Sequence, residues 1–123
     1  METDAYYLLL THVELGRFVL VTSPVHLTEV GGIKDPSERE EVLQLMKRVG
    51  SAAVCSSAET RKRADELVGL RCGIADAAHV AYAEATADML ITCDTRLLKQ
   101  CRRHRVRIPA YNPVEFATLE GLQ

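Results

Sequence analysis

Two short, wholly apolar runs constrain this chain more than any other feature: Phe18–Thr22 (FVLVT) and Met89–Cys93 (MLITC). A strand with one wet face alternates polar and apolar residues. A strand covered on both faces reads instead as a continuous run rich in β-branched residues, and such strands belong to parallel sheets. Parallel neighbours need crossover connections, usually helices. The expected class is therefore α/β, three-layered, with helices on both faces of a mainly parallel central sheet.

The remaining segments punctuate themselves accordingly. Residues 4–15 suit a helix that Gly16 ends, and Ser23-Pro24 opens another that carries Glu29 and stops before Gly31-Gly32. Asp35-Pro36-Ser37-Glu38 combines an N-cap, a first-position proline and an early acid, which predicts a helix over 36–49. Residues 52–55 read as a brief strand or a connector. Ser56 with Glu59 resembles a capping box for a helix ending near Gly69. Beyond Gly73 the alanine-rich IADAAHVAYAEATA favours helix, and 95–104 is helical again. A last strand is expected over 106–108, then a closing helix from Asn112-Pro113 to about Leu119.

With 123 residues, 47% of them hydrophobic and 26% charged, one domain spanning 1–123 is expected. Such a domain buries roughly two thirds of its unfolded surface and needs no staple. Cys55, Cys72, Cys93 and Cys101 form no CxxC pair and read as reduced core thiols of a cytoplasmic protein. No apolar run approaches the ~20 residues of a membrane span, and METDAYYLLL lacks the basic flank and cleavage site of a signal peptide. Net charge is only −2, but residues 95–107 hold Arg96, Lys99, Arg102, Arg103, Arg105 and Arg107 with no acid among them. That run reads either as a solvated helix face or as a track for RNA phosphates, carried chiefly by Arg96, Lys99, Arg102 and Arg103.

Sites in open parallel sheets form beyond the carboxyl ends of strands, and Asp94 falls at such an end. Alone it could simply cap the next helix. Asp76, however, lies where an alanine-rich helix begins and the helix dipole favours a carboxylate, and Glu29 follows the other apolar strand. Three acids near strand ends suit hard cations such as Mg²⁺ and Mn²⁺, which take oxygen ligands and support phosphodiester hydrolysis. His79 shares the face of Asp76 three residues on. A packed or surface histidine is the plainer reading for it, and a contact to metal or substrate the sharper one. His12, His26 and His104 show no ligand spacing.

The stretch DAAHVAYAEATADMLITCD resembles the second half of a PIN domain, where an Asp opens an alanine-rich helix and a strand ends in Thr-x-Asp. SPVHLTEV is similar to that family's earlier helix bearing an essential Glu, and the likeness runs from about Tyr6 through VRIPAYNPVEF. The resemblance implies a Mg²⁺- or Mn²⁺-dependent ribonuclease, of the kind that often forms the toxin half of a toxin–antitoxin pair. By the same resemblance Glu29, Asp76 and Asp94 are metal ligands, Thr92 supports the site, and RNA and an antitoxin protein are the partners.

PIN domains open with a central strand ending in an Asp, and nothing before Asp4 can form it. The expectation is thus a shortened PIN-like domain that pairs as a homodimer or higher homo-oligomer, because unpaired strand edges seek a partner. Two competing functions follow: a PIN-like module that binds RNA or protein without cutting, and a phospho-acceptor domain using Asp94. The second needs an acid pair after its first strand and a lysine after its last, where this chain has Ile108-Pro109.

Overall fold

The computed structural model describes residues 2–52, 56–104 and 106–122. Its elements run α1 (Glu2–Glu14), β1 (Leu20–Thr22), α2 (Pro24–Gly31), α3 (Pro36–Val49), β2 (Gly50–Ala52), α4 (Ser57–Gly69), α5 (Ile74–Thr86), β3 (Leu90–Ile91), α6 (Thr95–Arg103), β4 (Ala110–Tyr111) and α7 (Pro113–Leu119). The α/β class with parallel strands stands. Residues 53–55, with Cys55, and Arg105 lie outside the described residues.

Local chemistry starts the helices where the sequence places their caps. The Asp35 carboxylate accepts from Ser37 N, Ser56 Oγ accepts from Glu59 N, and Asn112 and Glu115 exchange bonds in a full capping box. Each arrangement satisfies backbone N–H groups that the first helical turn leaves without partners.

The strands are shorter than expected and fall into two parallel pairs, β1 with β2 and β3 with β4, with no ladder joining the pairs among the described residues. The buried character expected of Phe18–Thr22 is only partly realised. Leu20–Thr22 are half-buried and Val19 is 73% exposed, since among the described residues β1 has a neighbour on one side alone. The strand expected over 106–108 forms instead at Ala110–Tyr111. Pro109 cannot donate to a ladder, so pairing runs through its carbonyl, which accepts from Leu90 N at 3.0 Å, and through the residues after it. The upstream amides are used elsewhere: Val106 N closes α6 on Cys101 O, and Arg107 N donates to Glu84 Oε2 at 2.7 Å.

Gly50 joins α3 to β2 without a loop. A Cβ there would collide with the Met46 carbonyl and lie 2.7 Å from Thr22 Cγ2, so glycine alone lets β2 lie against β1 directly at the helix end.

The core lies around α5. Leu67, Cys72, Ala77, Val80, Ala81, Leu97, Leu98, Cys101 and Ala110 form one buried cluster, to which α4, α5, α6 and β4 all contribute. The small residues of α5 let α4 pack closely along it. A second contact ties α1 to α7, where the Phe18 ring meets Phe116 edge-on at 5.2 Å and His12 at 6.3 Å. Burial pushes the Cys101 thiol up to about 11 and raises Cys72 as well, which keeps both protonated and unreactive, as core thiols should be. Cys93, by contrast, is exposed, because β3 ends at Ile91 and the chain there has already turned toward solvent. Among the described residues no helix is long and apolar enough to cross a membrane.

Candidate active site

Asp94 stands just past β3, held by its own backbone. Thr92 N donates to Tyr111 O at 3.0 Å, extending the β3–β4 register, and Thr92 Oγ1 accepts from Asp94 N at 3.1 Å. The Asp94 side chain then caps α6: Oδ1 accepts from Arg96 N at 2.9 Å and Leu97 N at 3.2 Å. Both bonds use one oxygen. Oδ2 takes no bond among the described residues, and the residue is exposed. The capping role and a ligand role are therefore compatible.

Asp76 sits in the first turn of α5, half-buried, with its carboxylate folded back toward Gly73 at the helix N-cap. Gly73 offers no side-chain cap, so the acid rests where the helix dipole favours negative charge. Its charge adds to burial in raising the Cys72 thiol, which places it above the core.

Glu29 projects from α2 toward α5, and the two helices pack together. Its Oε1 meets His79 Nε2 at 2.9 Å. His79 lies one turn after Asp76 on the same helix, so the α2–α5 contact brings Glu29 to the Asp76 face of α5. Asp94 arrives from a separate element. Among the described residues no group of three or more His, Cys, Asp or Glu side chains gathers as a ready metal cage.

The donor chemistry nevertheless suits a hard divalent ion. Mg²⁺ commonly takes one or two carboxylates and completes its octahedron with water and substrate phosphate, not with an all-protein cage. Glu29, Asp76 and Asp94 supply oxygen donors of that type, and Glu29 and Asp94 each keep one oxygen without a partner among the described residues.

Helix α6 carries the positive charge beside this acid. Leu97, Leu98 and Cys101 face the core, while Arg96, Lys99 and Arg103, spaced three and four apart, share the opposite, exposed face. None of these three has an ion-pair partner among the described residues. Arg102 differs: its Nη2 donates to Glu115 Oε1 at 2.8 Å and to Ala110 O at 3.2 Å, which fastens α6 to β4 and α7. The free cationic ridge is thus narrower than the sequence run.

The other strong electrostatic feature is structural. Glu84, with a side chain 2% exposed, accepts from Arg63 Nε at 2.7 Å and Nη2 at 3.2 Å as well as from Arg107 N. It binds α4, α5 and the segment before β4 around the core. Sequence spacing gave no sign of this pair, nor of the contact between Glu29 and His79, because both join residues far apart in the chain.

The family model described as PIN domain matches residues 4–103, most of the chain and all three acids. No characterised protein and no solved structure matches significantly.

Proposed function

This chain belongs to the PIN-domain family, whose members are in general nucleases, and from that premise we propose that it is a Mg²⁺- or Mn²⁺-dependent ribonuclease acting as the toxin of a toxin–antitoxin pair. The observation that carries the reading is the placement of Asp76 and Asp94 at the heads of α5 and α6, with Glu29 drawn against α5. In this reading Glu29, Asp76 and Asp94 hold the ion. Thr92 fixes the turn that presents Asp94.

A bound ion would supply an activated water and neutralise charge on the phosphate. The protein's own part is positioning. Arg96, Lys99 and Arg103 hold the RNA backbone along α6 by contacts that are independent of sequence, with Asp94 at the end of that track. Arg102 joins the track only by releasing Glu115. The expected result is cleavage of single-stranded RNA that needs Mg²⁺ or Mn²⁺, and cleavage surviving a chelator would overturn the reading.

A second reading is favoured by the one-sided pairing of β1 and β3 among the described residues. Unpaired strand edges are templates for another chain, and a homodimer or larger homo-oligomer that covers them would make this a binding module for RNA or an antitoxin, with cleavage weak or lost. Sedimentation should then show a dimer or larger species, whereas a monomer with a cooperative thermal transition counts against it.

A further inference from the structure

We propose that His79 is a positioning residue for Glu29, holding its carboxylate in the orientation that a divalent cation requires; the inference rests on reading Glu29 as a ligand.

Glu29 is 55% exposed, and an exposed glutamate samples many rotamers, so fixing it costs side-chain entropy. His79 is the opposite case, 12% exposed and set into the α2–α5 contact. A largely covered donor holding an exposed acceptor favours one orientation of the glutamate before any ligand arrives. An ionised carboxylate only accepts hydrogen bonds, so Nε2 of His79 carries the proton of this contact.

The clamp takes one oxygen only. Oε1 is bound, and Oε2 keeps its lone pairs without a partner among the described residues. A link meant solely to staple two helices has no need of an acid whose second oxygen takes no partner among the described residues, and Asp76 lies one turn before His79 on the same helix. Partners outside the ligand set that orient ligating carboxylates typically change metal affinity 10–100-fold when removed.

The test is a calorimetric Mn²⁺ titration of the full chain and of the variants His79→Ala, His79→Gln and Glu29→Gln, with thermal melts alongside. His79→Ala should weaken Mn²⁺ binding about tenfold, and His79→Gln, whose amide N–H reaches the same oxygen, should regain most of it. Should His79→Ala fail to fold, His79→Asn replaces it, since its amide keeps polar packing but falls short of Glu29. Unchanged affinity on removing the imidazole, with loss in Glu29→Gln, overturns the positioning role and leaves Glu29 as a ligand. A chain that binds no Mn²⁺, or a Glu29→Gln variant that binds as well as the original, overturns both.

Discussion

Replacing Glu84 by alanine should destabilise the protein by about 3 kcal/mol, an effect as large as that of truncating a core side chain. Its carboxylate is nearly fully buried and receives two bonds from Arg63 and one from the Arg107 amide. Breaking a buried pair from one side leaves a charge without compensation, and that penalty exceeds the value of the pair itself. Arg63 is 17% exposed and keeps only Glu66, a half-exposed partner at 3.2 Å. Glu66→Ala is the control and should cost less than about 1 kcal/mol, as exposed pairs do. Denaturant melts of the two variants measure the difference.

The same pair sets a pH dependence. Burial raises the Glu84 carboxyl, but the bonds from Arg63 and the Arg107 amide, with the attraction of both arginines, outweigh it and hold the group below its ordinary value. A folded-state value below the unfolded one means that its stabilisation is complete above the unfolded range, roughly pH 4.3, and disappears as pH falls through the lowered value. Acid sensitivity of the intact protein should therefore shrink in Glu84→Ala.

The second large effect belongs to Asp94. Asp94→Asn should abolish cleavage while leaving the fold unchanged, because asparagine caps a helix as well as aspartate does and only the charge is removed. An interaction worth several kcal/mol in stabilising the reaction corresponds to a loss of about 10²–10³-fold in rate. Asp94→Ala should lose activity equally and, in addition, about 1 kcal/mol of stability, since its α6 cap goes with it. The two variants separate the charge of Asp94 from its capping bonds. Equal cleavage by Asp94→Asn and the original chain would remove Asp94 from the site.

The helices were legible because their signals are local. Asp35-Pro36, Ser56 and Asn112-Pro113 act on amides two or three residues away, and each opens a helix where the sequence places it. The strands were less so, since pairing is decided by partners far along the chain. Pro109 and the claims of Cys101 and Glu84 on nearby amides moved the last strand from 106–108 to Ala110–Tyr111. The apolar run before Ser23 looked covered on both faces, yet among the described residues β1 pairs only with β2.

The acidic residues followed the same division. Thr92 and Asp94 are two apart, and their turn and cap could be read directly. His79 could be placed on the Asp76 face by spacing alone, but its bond to Glu29 spans 50 residues and needed the packing of α2 on α5. Arg102 reads as one cation of a basic run until Glu115 is folded against it.

If this acidic surface cuts RNA with the help of a divalent ion, cleavage of an end-labelled single-stranded RNA is the most direct test. Cleavage should appear with Mn²⁺, stop on addition of a chelator and resume when Mn²⁺ is added in excess. Cleavage that continues in chelator, or none with Mn²⁺ present, would contradict the account.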